Sequence, residues 1–137
     1  MKTFFLLLIV LASSACAVFA EEAVFVVNPS VKETELSTES VRGILLGNKT
    51  SWESGNLKLV VQTEGTLHEL VIRTYTQRST DQFDKYWKKQ VFTGKGMAPA
   101  VAKTDAEVID YVAKHTGAIG YVASVSATAA VKVLLVK

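Results

Sequence analysis

The chain has 137 residues, 49% of them hydrophobic, and 15 Lys plus Arg face 13 Asp plus Glu. This length allows one domain with a sizeable core, and the near-neutral charge argues against nucleic acid as a partner. With Cys16 as the single cysteine, a disulfide within the chain is excluded.

The first twenty residues have the pattern of a secretory signal peptide. Lys2 precedes an unbroken apolar run over residues 4–11, and small residues follow up to Ala20. The run is shorter than the ~20 apolar residues that a membrane span needs. The pattern therefore predicts a signal peptide over residues 1–20, cleaved after Ala20, and no membrane span in what remains.

Cys16 leaves one alternative for this segment, which is a lipid anchor. Such processing prefers Leu three residues before the cysteine, and Ser13 stands there. In either case we expect residues 21–137 to form a single domain.

The first elements of that domain are a strand and a helix. Residues 23–27 are apolar and mostly β-branched, which predicts a buried strand. Ser37 or Thr38 then caps a helix that Gly47 terminates. A polar loop over residues 48–56 follows.

The middle of the chain predicts a second strand and two helices. The strand covers residues 57–61, and the turn Glu64-Gly65-Thr66 opens the first helix. Ser79-Thr80 caps the second helix. Its apolar stripe comprises Phe83, Tyr86, Trp87 and Val91.

The last third predicts one more helix between loops and strands. Thr104 and Glu107 have the spacing of a capping box, and Gly117 ends that helix. Strands are expected over residues 119–122 and 131–136. Because strands alternate with helices, we expect an α/β fold with a mostly parallel sheet flanked by helices.

Nothing in the sequence has the pattern of a catalytic centre. His68 and His115 lie on different predicted helices, away from any nucleophile motif or metal-ligand spacing. An envelope phosphoesterase would need such a nucleophile or metal site. We therefore predict no catalytic residues, no metal, no cofactor and no enzymatic activity.

The turn Glu64-Gly65-Thr66 is the best candidate for binding. It follows a strand and opens a helix, where free backbone N–H groups can hold an anion. Gly65 allows close approach, and Thr66 adds a hydroxyl. The alternative is that Glu64 and Thr66 cap the helix themselves, with the Glu64 carboxylate repelling an anion.

Short motifs recur in a fixed order over nearly all of residues 21–137. They are residues 26–29, 36–49, Trp52, 86–87, 92–96, Pro99 and 117–122. Together these motifs resemble the phosphate-binding periplasmic proteins of phosphate ABC transporters, in particular a short phosphate-binding-protein-like subgroup.

The resemblance implies one lobe of a type 2 periplasmic-binding fold, with a small oxyanion such as phosphate as ligand and a role in transport or sensing. Gly65 and Thr66 match the family's anion turn, in which Glu64 takes the place of a serine. Ser30, Thr80 and Arg73 are the further candidate ligand-binding residues.

A second hypothesis is an envelope interaction protein that binds no ligand. A single lobe exposes the face that a second lobe would cover, and exposed apolar faces mark interfaces. The candidate residues are Trp52, Tyr86, Trp87 and Phe92. The partner would be another envelope protein or a second copy of this chain.

Overall fold

A computed structural model of the protein describes residues 22–137. The predicted signal peptide and Cys16 lie outside the described residues. Within the described part, no helix combines the length and the apolar character needed to cross a membrane.

The framework is a six-stranded mixed sheet. Its strands are β1 (Ala23–Val27), β2 (Glu35–Leu36), β5 (Lys58–Gln62), β6 (Ala100–Ala102), β7 (Ala118–Ala123) and β8 (Lys132–Val136), and β3 (Ser51–Trp52) with β4 (Gly55–Asn56) forms a separate hairpin inside the predicted polar loop. The spatial order is β2-β8-β1-β7-β5-β6.

The pairings give the direction of each strand. β5 is parallel to both β6 and β7, and β2 is parallel to β8. β1 alone is antiparallel to its neighbours β7 and β8. The prediction of a mostly parallel sheet is confirmed, with one reversed strand at its centre.

Two strands of the six-stranded sheet were not predicted from the sequence, and these strands, β2 and β6, lie at its edges. They contain only two and three residues. Such short segments show no period-2 pattern, and only the hydrogen bonds to β8 and β5 define them.

Across residues 22–137, four α-helices connect the strands, and all four were expected. They are α1 (Thr38–Leu45), α2 (Thr66–Thr76), α3 (Thr80–Phe92) and α4 (Asp105–Lys114), with a short 3-10 helix at Ser124–Ser126. Ser37 caps α1 by accepting from the backbone N–H of Ser40, and Ser79 forms a complete capping box with Gln82.

The capping box predicted at α4 is only half formed. The Thr104 hydroxyl accepts from the Glu107 backbone N–H at 3.2 Å. The Glu107 carboxylate accepts from the backbone N–H of Lys103 at 2.7 Å, one residue before the cap. The side chain therefore ties the β6–α4 turn to the first turn of the helix.

The sheet buries both of its faces. Alternating residues of β1 and β7 point to opposite sides: Phe25 and Tyr121 meet α1, α2 and α3, and Val26 and Val122 meet α4. Strands covered on both faces become continuous apolar runs, as β1 and β7 are.

Two aromatic side chains fasten α3 to the end of α1. The Tyr86 hydroxyl donates to Leu46 O at 2.6 Å, and Trp87 Nε1 donates to Leu45 O at 3.0 Å. Phe83 is the buried member of the predicted apolar stripe, whereas Val91 is 47% exposed. The stripe therefore serves partly to satisfy carbonyls that α1 leaves without partners.

Candidate functional site

A shallow cavity of about 540 Å³ lies where three neighbouring parallel strands end. It is lined by Gln62, Glu64, Gly65, Thr66, Leu67, Lys103, Thr104, Asp105 and Ala123. Gln62 and Ala123 are the last residues of β5 and β7, and Lys103 directly follows β6. Ligands of open α/β sheets bind at this carboxyl edge.

The α2 N-terminus forms one wall of the cavity. Gly65 is its N-cap, with φ 104°, and no side chain of residues 22–137 accepts a hydrogen bond there. The alternative that Glu64 and Thr66 cap α2 is therefore not what the structure has. A Cβ added to Gly65 would meet no atom within 4 Å, so the approach is open. The N–H groups of the first turn remain available for an acceptor.

Three charged side chains surround this turn. Glu64 and Lys103 are exposed, and Asp105 is half-buried. The Asp105 carboxylate accepts from Gln62 Nε2 at 2.8 Å, Ala123 N at 3.1 Å and Ser126 Oγ at 2.8 Å. Through these bonds Asp105 links β5, β7 and the 3-10 helix. Lys103 is the cationic residue in the described lining of the cavity.

A buried hydrogen-bonded group holds the first turn of α2 against the sheet. The Tyr121 hydroxyl accepts from Gln62 N at 2.9 Å and lies 2.6 Å from His68 Nδ1. His68 is 3% exposed. Burial favours the neutral imidazole, and the Tyr121 hydroxyl can donate its proton to Nδ1 of that form while it accepts from Gln62 N. His68 is thus a positioning residue beneath the cavity wall.

Burial sets the ionisation of this pair. It lowers the pKa of His68, and the carboxylates of Asp84 and Glu69 oppose that shift with smaller effects. Burial also raises the pKa of Tyr121. Protonating His68 would place a proton on Nδ1 and leave the Tyr121 proton without its acceptor.

We expect His68 to make the fold less stable in mild acid. A group whose pKa is lower in the folded state binds more protons when unfolded, so its contribution is complete above the unfolded pKa of 6.5 and is lost as pH falls below it. The stability advantage of the parent over His68→Gln should shrink below that pH. Urea unfolding of both proteins across this range measures the difference, and a constant difference would contradict it.

The structure separates the remaining candidate residues from the turn. The Ser30 hydroxyl accepts from Gly117 N at 3.2 Å. Gly117 directly precedes β7, so Ser30 lies at the end of the sheet opposite to the cavity. Arg73 lies in the last turn of α2, about 10 Å along the helix axis from Thr66. Thr80 is the first residue of α3. None of the three lines the cavity.

The sequence does not predict Lys103, Gln62 or Asp105 as part of the site. They meet Gly65 and Thr66 only because β5 pairs with β6 and β7. Of these residues, Lys103 has a local signal in the sequence, because it directly precedes Thr104, the predicted N-cap of α4.

No protein-family model and no curated protein matches the sequence. Solved structures do match. An ABC-type phosphate transport receptor from Vibrio cholerae is 17% identical with a TM-score of 0.57, and the match covers 83% of this chain and 45% of that one. PstS from Borrelia burgdorferi is 16% identical with a TM-score of 0.57, covering 84% and 47%.

A third structure, from Clostridium perfringens, contains bound phosphate and is described as a phosphate ABC transporter substrate-binding protein. It is 12% identical with a TM-score of 0.66, and the match covers 83% of this chain and 44% of that one. The chain thus spans slightly less than half the length of these proteins. It has the fold of one lobe of a phosphate ABC transporter substrate-binding protein.

Proposed function

We propose that this protein is an exported periplasmic binding protein whose ligand is a small oxyanion such as phosphate, acting in phosphate-type transport or sensing. The observation that carries the proposal is the uncapped N-terminus of α2, which opens into a cavity at the carboxyl edge of the sheet. Structures with the same fold include one with bound phosphate. The signal-peptide pattern of residues 1–20 supports export.

The cavity offers three kinds of donor to an oxyanion. These are the backbone N–H groups of the first turn of α2, the Thr66 hydroxyl and the Lys103 ammonium. The partial positive charge of a helix N-terminus adds to their attraction. Glu64 acts in the opposite direction, since two unit charges about 4 Å apart in water interact by ~1 kcal/mol. The proposed role is therefore reversible binding of modest affinity.

Binding without catalysis is the activity that these residues support. The structural neighbours named above are described as transport receptors and binding proteins. Nδ1 of the buried His68 contacts the Tyr121 hydroxyl, and His68 does not line the described part of the cavity. The Asp105 carboxylate lines it but already accepts three hydrogen bonds, which gives it a structural role.

We expect phosphate to raise the thermal midpoint of the purified protein in phosphate-free buffer, relative to chloride at equal ionic strength. Binding to the folded state alone adds ~2.7 kcal/mol at a hundredfold excess over Kd, which amounts to several degrees. Thr66→Ala and Lys103→Gln should each reduce the shift. Glu64→Gln should strengthen binding by about fivefold, because the repulsion of ~1 kcal/mol is removed.

Lys89→Gln is the matched control for these variants. Lys89 is an exposed lysine outside the cavity, so its removal changes the net charge equally. A shift that Lys89→Gln reduces as much as Lys103→Gln would assign binding to overall charge and defeat the site. The absence of any shift at millimolar phosphate would defeat oxyanion binding by this chain.

An apolar groove favours the second candidate function, protein interaction in the envelope. The groove has a volume of about 500 Å³ and lies between the end of α3 and the edge strand β6. Of the four aromatic residues expected at such a face, Phe92 is 93% exposed, whereas Trp52 is buried and Tyr86 and Trp87 are bonded to α1. An oligomer in light scattering that Phe92→Asp dissociates would support this function, and a protein that stays monomeric would argue against self-association.

A further inference from the structure

A second cavity, of about 590 Å³, lies at the opposite end of the strands from the cavity beside the α2 N-terminus. Three segments of the chain enclose it: the loop after α1, the start of β5, and the loop between α3 and β6. Lys58, the first residue of β5, pairs with Ala118, the first residue of β7. This cavity lies where β5 and β7 begin. It is therefore separate from the cavity lined by Gly65, Thr66 and Lys103, called the oxyanion cavity below, which lies where β5 and β7 end.

Three lysines line this second cavity, one from each segment. They are Lys49, Lys58 and Lys95, and the lining residues in the described part of the chain include no Asp or Glu. The ion pairs found within residues 22–137 involve other lysines. Like charges around one cavity raise its positive potential and favour an anion. The oxyanion cavity, in contrast, contains two carboxylates and one lysine.

A fixed indole ring forms the apolar wall of the cavity. Trp87 is held by its hydrogen bond to Leu45 O, and the loops on either side pack closely against its ring. A Cβ added to Gly47 would lie 2.6 Å from the indole Cη2, and one added to Gly96 would lie 3.4 Å from Cζ3. This close packing gives the wall its shape before any ligand arrives.

The remaining lining is mostly apolar. Its members with apolar or aromatic side chains include Leu57, Leu59, Met97, Pro99 and Tyr111. Pockets for small molecules measure roughly 300–1,000 Å³ and combine an apolar lining with a few polar or charged groups. The cavity of about 590 Å³ falls within this range and has that composition.

We propose that this cavity binds a small organic anion. The apolar body of the ligand packs against Trp87 and Met97, and its carboxylate or phosphate group is held by Lys49, Lys58 and Lys95. The site uses none of the residues of the oxyanion cavity, so the two proposals stand or fall separately.

The test uses anilinonaphthalene sulfonate, an anion with an aromatic body whose fluorescence rises on binding. We expect saturable binding to the parent protein that weakens as salt is added. Replacing Lys49, Lys58 and Lys95 together by Gln should weaken it by about tenfold or more. Phenylnaphthylamine, which has a similar aromatic body without charge, should bind the parent and the triple variant equally.

The matched control replaces Lys32, Lys89 and Lys114 by Gln. These exposed lysines lie outside the second cavity, and their removal changes the net charge by the same amount. The control should bind the probe within about twofold of the parent. Thermal unfolding of both variants, which change only lysines at least partly accessible to solvent, confirms that they remain folded.

Competition identifies the anionic group and the need for an apolar body. Phenylacetate and phenyl phosphate should displace the probe, and the better competitor shows whether carboxylate or phosphate is preferred. The proposal is overturned if the parent does not bind the probe, if both triple variants lose it equally, or if neither does. It is also overturned if inorganic phosphate competes as well as phenyl phosphate. Phosphate binding at the α2 N-terminus should be unchanged in the Lys49, Lys58 and Lys95 variant.

Discussion

Gly117→Ala is expected to lower the free energy of unfolding by about 2–5 kcal/mol. Gly117 has φ 77°, where a residue with a Cβ is strained by ~1–2 kcal/mol. In addition, the new Cβ would collide with the backbone carbonyl of Asn56, which cannot rotate away. The carbonyl of Gly117 accepts from Trp52 Nε1 at 2.9 Å and Lys58 N at 3.0 Å, so any shift disturbs both bonds.

Gly94→Ala separates the two contributions. Gly94 has φ 70°, but a Cβ there would meet no atom within 4 Å. It should therefore show the conformational strain alone, ~1–2 kcal/mol. Urea denaturation of the parent and both variants measures the difference. Equal losses in the two variants would show that the contact with Asn56 relaxes without cost.

Tyr121→Phe is expected to destabilise the protein by about 2–6 kcal/mol, because it leaves two buried partners unsatisfied at roughly 1–3 kcal/mol each. These are the backbone N–H of Gln62 and Nδ1 of His68. The ring itself remains, so no large cavity forms. Since Gln62 lines the oxyanion cavity and His68 directly follows the lining residue Leu67, the variant should also weaken any phosphate-dependent shift in the thermal midpoint.

Tyr75→Phe is the matched control for this change. Tyr75 is half-buried, and its ring packs edge-on against Phe25 with centroids 5.3 Å apart. No hydrogen bond of its hydroxyl is found within residues 22–137, so the loss should stay within about 0.5 kcal/mol. If Tyr121→Phe were as mild as Tyr75→Phe, the bonded group would contribute little to the position of α2.

The amino-acid pattern predicted the local elements well, and for physical reasons. The strand at residues 23–27, the helix capped by Ser37 and the helix capped by Ser79 all depend on side chains close to them in sequence. The same holds for the turn at Gly65, whose positive φ only glycine adopts readily. The antiparallel orientation of β1 was not predicted by any local sequence pattern, because the direction of a strand depends on its pairing, here with β7 and β8.

The aromatic residues of α3 make contacts that no local sequence pattern predicts. Spacing predicted an apolar stripe on α3. Tyr86 and Trp87 of that stripe nevertheless donate hydrogen bonds to carbonyls at the end of α1, some forty residues earlier in the chain. Ser30 was a ligand candidate by the family resemblance, and it lies at the other edge of the sheet beside Gly117. In both cases the deciding partner is far away in sequence.

The sequence by itself determined the α/β class, the four helices, the caps at Ser37, Ser79 and Thr104, and the Gly65 turn, since each follows from propensity and hydrogen bonds within a few residues. Only the tertiary structure decided which charges meet. It placed Lys103 beside the α2 N-terminus, and it gathered Lys49, Lys58 and Lys95 around Trp87 at the opposite edge. The physical reason is that hydrogen bonding between strands distant in sequence sets these neighbours, and no local pattern records it.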